Sequence, residues 1–368
     1  MTKNLTICLS CVNGFLTYDF IKSLKNQKDF KAKIIGIDSG DSNKGDLICD
    51  KFYKVSSASN EKKYLKDIEK IYKQEKFDIF FPLSDIESFI ILKYRNYLNK
   101  KSIKFKLPFN DFEKAKLFYD KKLFLDFCQE NKIPSGKHFF VKNISEVKNI
   151  IKKTNAKYIL KPTSGSGTKG VYLLNKFLKK KIKILESRNC YEINLKDLIY
   201  EDIFRKKKEF IMMPFYKGNI YDIDCIANNG KILHLSIRLR EIKNRFMFYS
   251  TGHKIVYIKK IEKLITLFVK KLKLDGICDF DVIEKEKNNF ILLEASCRFS
   301  GSVGVCTRAG VNFPSEMVRK ILKLKQKKSK LNINSSYRSF LVFKKIDKSK
   351  SKILLNDYIP HYSKQSEY

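Results

Sequence analysis

Short apolar runs and amphipathic stretches alternate through the first hundred residues. Leu5–Leu9, Lys33–Ile37, Phe52–Val55 and Asp78–Phe81 read as β-strands. Phe15–Leu24 and Tyr64–Tyr72, with apolar positions three and four apart, read as helices. That rhythm predicts an α/β unit, a small parallel sheet with helices on its faces. Asn13-Gly14 follows the first run as a loop at the carboxyl end of a strand, where such sheets bind ligands. One glycine is no dinucleotide fingerprint, so no NAD site is expected.

The pattern then changes. Asn110 opens a helix, with Glu113 placed to complete a capping box, and Phe124, Phe127 and Cys128 continue its buried stripe up to Asn131-Lys132-Ile133-Pro134. Hairpins are expected from Tyr158 onward. Residues 176–208 are a lysine-rich insertion, expected as a solvated helical excursion. Ile261, Leu264, Ile265, Phe268, Val269 and Leu272 mark the clearest amphipathic helix, expected to end at Asp275-Gly276. Beyond about residue 326 the rhythm fades, and that segment reads as peripheral.

Composition bounds the function. The 368 residues allow two or three lobes. No run of eighteen uncharged apolar residues is present, and the N-terminus lacks the apolar stretch of a secretion signal, so no membrane association and a cytoplasmic location are expected. Nine cysteines without framework spacing fit reduced thiols. Cys8 and Cys11 form one C-x-x-C pair at the close of an apolar run, which reads as a packed strand end and not as half of a zinc site. The net charge of +37 invites a nucleic-acid reading. The lysines are spread over the whole chain, however, and no helix-turn-helix, zinc finger or aromatic RNA-binding signature accompanies them. Nucleic acid is therefore not the expected partner.

Three constellations carry chemistry. The first runs from Tyr158 to Leu174, where a β-run reaches Lys161 and a loop with Gly165, Ser166, Gly167, Thr168 and Gly170 leads into a second β-run. Glycines let backbone N–H groups approach phosphate oxygens, and Lys161 and Lys169 add charge. A plain hairpin turn needs fewer glycines, so a phosphate cover is favoured. In the second, Asp279 and Asp281 alternate with Cys278, Phe280 and Val282, which places both acids on one strand face; Glu294 closes the next strand. Acids within apolar runs are costly to bury unless paired or bound to a cation, and two such carboxylates could bridge Mg²⁺ to nucleotide phosphates. A surface hairpin with its acids in water is the alternative. Arg298, four residues on, is a candidate to steady charge on a transferred phosphoryl group. In the third, Ile232–Arg240, His234, Ser236, Arg238 and Arg240 share one face, which can hold carboxylate or phosphate; an exposed edge strand would read the same way.

Taken in order, these residues resemble the ATP-grasp superfamily, specifically ligases similar to the carbamoyl-phosphate synthase large subunit. The likeness covers about residues 1–326. It includes Asp50-Lys-Phe-Tyr-Lys-Val55, Phe81-Pro-Leu-Ser-Asp-Ile-Glu87, the Asp120-Lys121 pair, the glycine-rich Lys161–Gly170 and Leu293-Glu-Ala-Ser-Cys-Arg-Phe-Ser-Gly301. The resemblance implies an α/β pre-ATP-grasp, Rossmann-like domain (1–108), a two-lobed ATP-grasp domain (109–326) and a C-terminal extension (327–368). It implies ATP between the lobes, with Lys121 and Lys161 near its phosphates under the Gly165–Thr168 cover, and Met213 at the nucleoside. Asp281, Glu294 and Ser296 would hold Mg²⁺, and Arg298, Arg238 and Arg240 would serve the chemistry. The expected partners are small-molecule carboxylate and amine substrates, with a homodimer compatible. Three positions depart from the family pattern: Ser296 for a metal-binding asparagine, Met213 for a hinge glutamate and Ile220 for a second glutamate.

Overall fold

The computed structural model describes residues 2–339, apart from 15–16, 26, 41–44, 153–155, 164–169, 176, 178–181, 187–189, 195–197, 199–202, 207–208 and 242–251. Within them the chain forms three sheets. The first contains β1 (Lys3–Leu9), β2 (Phe30–Asp38), β3 (Lys51–Lys54) and β4 (Ile79–Phe81), all parallel in the order β3-β2-β1-β4. Apolar runs buried on both faces make this a covered parallel sheet, as the alternating rhythm predicts. Phe15–Leu24 settles as the helix Thr17–Lys25, and Tyr64–Tyr72 lies within the helix Glu61–Glu75.

The second sheet is built from β5 (Phe139–Val141), β6 (Tyr158–Pro162), β7 (Val171–Leu174), β8 (Ile182–Glu186), β9 (Cys190–Ile193) and β10 (Phe210–Pro214) in the order β5-β10-β6-β7-β9-β8. Two of these strands correct the reading of 176–208 as a helical excursion. In Ile182-Lys-Ile184 and Tyr191-Glu-Ile193 the apolar residues alternate with charges, and that period of two suits a strand better than a helix. The third sheet is antiparallel and contains β11 (Ile220–Asn228), β12 (Lys231–Arg240), β13 (Gly252–Val256), β14 (Gly276–Glu286), β15 (Asn289–Ser296) and β16 (Ser336–Arg338), in the order β15-β14-β11-β12-β13-β16. The segment read as peripheral therefore supplies an edge strand. The extreme C-terminus, from residue 340, lies outside the described residues.

The predicted helix from Asn110 is two helices, Phe112–Tyr119 and Lys121–Glu130. Asp111 caps the first by accepting from the Lys114 N–H, while the Asn110 side-chain amide donates to the Leu107 carbonyl. Asp120 breaks the stripe by capping the second, accepting from the N–H groups of Lys122 and Leu123. Lys121 is thereby the first residue of a helix, and its own N–H donates to the Thr163 carbonyl at 2.9 Å, just past β6. The helix Lys259–Leu272 ends earlier than Asp275-Gly276, on Lys273 in the left-handed conformation. Gly276 opens β14 with φ +120°; a Cβ there would come within 2.3 Å of the Pro108 carbonyl oxygen. Phe268 of this helix meets Phe118, Phe124, Phe127 and Phe280, which ties the Phe112–Glu130 pair to the third sheet. Among the described residues no helix is long and apolar enough to cross a membrane.

One charge cluster braces the first sheet. Glu75, at the end of the helix Glu61–Glu75, accepts from Lys33 (2.8 Å), Lys51 (2.6 Å) and the Tyr53 hydroxyl (2.6 Å). Burial works against the charged carboxylate, yet the lysines and the hydroxyl hold its pKa down to about 2 from an ordinary 4.5. A depressed carboxylate stabilises the fold above its unfolded pKa and loses that contribution as pH falls through its folded one. Glu75→Gln is thus expected to lower the melting temperature at neutral pH, with the gap to wild type closing between pH 4.5 and about 2. Melting curves over that range check it.

Candidate functional site

The third sheet has two unlike faces. Ile223, Cys225, Phe280 and Ala295 point toward the helix Lys259–Leu272 and its apolar core. The opposite face is charged in register. Arg238 of β12 pairs with Asp222 of β11, Asp222 with Asp281 of β14, and Asp281 with Glu294 of β15. One step along lie Ser236, Asp224, Asp279 and Ser296, joined in the same way. The period-two reading of Asp279 and Asp281 therefore extends into two polar rows across four strands.

Cations from elsewhere meet this face. Arg240 donates from Nε to Asp222 Oδ1 at 2.6 Å and from Nη2 to Asp281 Oδ1 at 2.7 Å. Lys121 Nζ stands 3.5 Å from Glu294 Oε2. Lys161 lies opposite Ile211, and Met213 opposite Ile159, in the β6–β10 ladder, so all four share the face of the second sheet. Burial lowers the pKa of Lys161; Glu294 and Asp281 oppose that shift, and the like charge of Lys121 adds to it. Burial also disfavours ionised Glu294, but Lys121, Lys161 and Arg298 hold its pKa down to about 2. Asp281 behaves oppositely: burial, with Asp222 and Glu294 as neighbours, pushes it up to about 7 against the pull of Arg240. A carboxylate destabilised by two others is short of positive charge, and a cation that takes one or two carboxylates plus phosphate oxygens fits the Asp281–Glu294 pair. Among the described residues no three His, Cys, Asp or Glu side chains gather into a group that could hold a metal ion by itself.

The remaining residues named from the sequence fall in different places. Arg298 donates to Asp279 Oδ2 (2.9 Å) and to the Phe299 carbonyl (3.0 Å), and its Nε is 3.2 Å from Oδ1 of Asp85, the first residue of the helix Asp85–Lys93. Asp85 was not among the expected site residues; the acids of Ser84-Asp85-Ile86-Glu87 were the only sign of it. Arg238 corrects the pairing with Arg240. Its guanidinium is fully buried on Asp224 (2.5 Å), Ser300 Oγ (2.8 Å) and Cys306 Sγ (2.7 Å), because residues 300–306 cover this part of the face, and it reaches no cleft. Ser296 is buried opposite Asp279, one step from the Asp281–Glu294 pair. Met213 is buried, and a Cβ on Gly136 would meet its methyl at 2.5 Å. Ile220 lies opposite Ile283 at the entry to β11. Gly165, Ser166, Gly167 and Thr168 lie outside the described residues; β6 and β7, which flank them, pair antiparallel as a hairpin. His253, also unforeseen, is buried 3.6 Å from Asp222, opposite Arg240.

A charged six-stranded antiparallel sheet, a six-stranded mixed sheet that carries Lys161, and a parallel α/β unit in the same chain define the class: the chain has the ATP-grasp fold. The family described as "ATP-grasp in the biosynthetic pathway with Ter operon" matches residues 206–339, which contain the whole charged sheet. Among solved structures, L-amino acid ligase from Bacillus licheniformis is 15% identical, with TM-score 0.65 over 89% of this chain and 76% of that one. N5-carboxyaminoimidazole synthetase from Staphylococcus aureus, complexed with ADP, is 14% identical, with TM-score 0.68 over 93% and 83%. The biotin carboxylase domain of Hydrogenobacter thermophilus 2-oxoglutarate carboxylase, in complex with MgADP and bicarbonate, is 14% identical, with TM-score 0.66 over 90% and 72%. No curated protein matches the sequence.

The contrast between the two arginines is testable. Arg238→Met leaves Asp224 buried without its partner, and a loss of about 3–5 kcal/mol is expected in denaturant unfolding. Pairing it with Asp224→Asn should recover much of that loss, since the stranded charge goes too.

Proposed function

We propose that this protein is an ATP- and Mg²⁺-dependent carboxylate–amine ligase, forming an amide on a small metabolite through an acyl phosphate. The observation that carries the reading is the convergence of Lys121, Lys161 and Arg240, from three separate segments, on the Asp281–Glu294 pair. Surface charges do not converge so; a site for a polyanion with a divalent cation does. The matched family is described as belonging to a biosynthetic pathway, which supports a small-molecule product.

Bound Mg²⁺-ATP would supply the phosphoryl group and make the carboxylate carbon electrophilic. Asp281 and Glu294 would hold the metal, with Ser296 beside them as a weaker oxygen donor. Lys121 and Lys161 would bind the phosphates, and the run Gly165, Ser166, Gly167 and Thr168 is read from the sequence as their cover. Arg240, held by Asp222, keeps the Asp281 carboxylate oriented. Arg298, fixed between Asp279 and Asp85, would face the charge that develops as the amine attacks. Met213 would pack against the nucleoside base.

A second reading has its own support. Met213 and Ile220 leave the nucleoside end apolar where acceptors for ribose hydroxyls would otherwise stand, and Ser296 is a short ligand. That favours a catalytically weakened ATP-grasp protein that binds a metabolite or a partner. Thermal melting with and without Mg²⁺-ATP opens the test: a ligand at a hundred times its dissociation constant adds about 2.7 kcal/mol of stability. A Mg²⁺-dependent rise that disappears in Glu294→Ala, together with ADP release when carboxylates and amines are supplied, is the outcome expected of the ligase. Binding without release against a broad panel would support the weakened reading. Turnover that survives Glu294→Ala would remove the assigned metal site.

A further inference from the structure

We propose that the protein carries a second anion site, apart from the phosphoryl end of the cleft, for a phosphate or phosphate-monoester group. It lies in a cavity beside the connection from the helix Lys121–Glu130 to β5. The cavity measures about 520 Å³, the size of a small-molecule pocket, and is lined by Gln129, Lys132, Pro134, Lys137, His138 and Lys285 among others. None of Lys121, Lys161, Arg240, Asp281, Glu294 and Arg298 is among its walls. Along the helix axis Gln129 stands about 12 Å from Lys121. The site stands without the ligase reading.

The walls are fixed by backbone bonds. The helix ends with the Lys132 N–H on the Gln129 carbonyl (3.1 Å) and the Ile133 N–H on the Cys128 carbonyl (2.8 Å), and Lys132 is left-handed with φ 55°. Pro134 then accepts from the Leu292 N–H at 3.0 Å, and Ser135 pairs with Leu292, so the connection is bonded to β15. Lys285 comes from β14. The cavity is therefore shared between the third sheet and the segment that leads into the second.

Elsewhere lysines meet carboxylates: Lys33 and Lys51 meet Glu75, Lys101 meets Glu69, and Lys320 meets Asp275. No carboxylate lines this cavity. Among the described residues Lys132 and Lys137 make no ion pair; Lys137 Nζ lies 5.5 Å from the centre of the Phe139 ring. Lys285 has Glu286 at 3.8 Å, an exposed contact worth little. Glu284, the acid before it, is spent on the Asn219 side-chain amide (3.0 Å) and the Asn288 N–H (3.0 Å). Three ammonium groups thus border one space without a carboxylate among them, and an oxyanion supplies the missing charge. His138 narrows the choice. A carbonyl only accepts, so the Nδ1 bonded to the Gly136 carbonyl at 2.9 Å carries the proton, and the neutral ring offers Nε2 as an acceptor. A phosphate near its second ionisation brings charged oxygens for the lysines and a P–OH for that nitrogen, where a carboxylate brings only acceptors.

Calorimetric titration of the full chain with glycerol 3-phosphate, inorganic phosphate and glycerol, with and without saturating Mg²⁺-ADP, tests this. Both phosphates should bind with Mg²⁺-ADP in place and glycerol should not; the tighter of the two identifies the source as an ester or free phosphate. Lys137→Gln and Lys285→Gln should each weaken that binding about tenfold, the loss of one charge-assisted contact. A control removes two charges from the exposed side of the helix Glu61–Glu75, Lys66→Gln with Lys70→Gln, and should bind as the wild type does. An equal loss in the control, displacement by Mg²⁺-ADP, variants that bind like wild type, or no phosphate binding at all overturns the proposal. Should ADP itself not bind, Lys121→Gln takes its place. Phosphate binding that survives in Lys121→Gln and falls in Lys137→Gln supports the cavity, and the reverse overturns it.

Discussion

The structure depends on a requirement that charges on one face of an antiparallel sheet be answered. Asp222, Asp224, Asp279, Asp281 and Glu294 project from neighbouring strands, and a carboxylate removed from water costs several kcal/mol unless a cation and hydrogen bonds meet it. Two of the answers come from within the sheet, Arg238 for Asp224 and Arg240 for Asp222 and Asp281. Others come from outside it. Lys121 begins the helix Lys121–Glu130, Lys161 is the next-to-last residue of β6 in the second sheet, and Arg298 is itself clamped by Asp85 from the helix Asp85–Lys93. Satisfying the sheet therefore draws all three units toward one place, so that pairing its charges also assembles the candidate site.

That dependence explains what the sequence discloses and what it withholds. Strand periodicity is local, so the shared face of Asp279 and Asp281 was legible from alternation with Cys278, Phe280 and Val282. The Asp120-Lys121 pair and the glycines after Lys161 were legible as motifs, and with them the fold. Partners across the chain were not. Nothing near Asp85 marks it as the counter-charge of a residue more than two hundred positions away, and its role emerges only once β4 and β15 are placed. The insertion at 176–208 misled for a related reason: its lysine content suggests a solvated helix, while the alternation that makes β8 and β9 is confined to a few residues and needs β7 as a template.

Charge also orders the cleft. Where Lys121, Lys161 and Arg240 gather, Glu294 is held ionised, with its pKa down to about 2, while Asp281 is pushed up to about 7. Two adjacent carboxylates driven apart in this way are held in unlike electrostatic environments.

Arg238 and Arg240 show how little of this is carried by residue type. They are two positions apart on β12, share a face and look equivalent in sequence. Two residues of strand advance the chain about 6.6 Å, and over that distance the cover changes. Above Arg238 the segment from Ser300 to Cys306 closes the face, so its guanidinium is spent on Asp224, Ser300 and Cys306. Arg240 lies past that cover, beside Asp281, where a charge can both hold a carboxylate and meet a ligand. The boundary between a fully buried ion pair and a partly exposed one is here set by where a neighbouring segment stops, and not by the strand that carries both arginines.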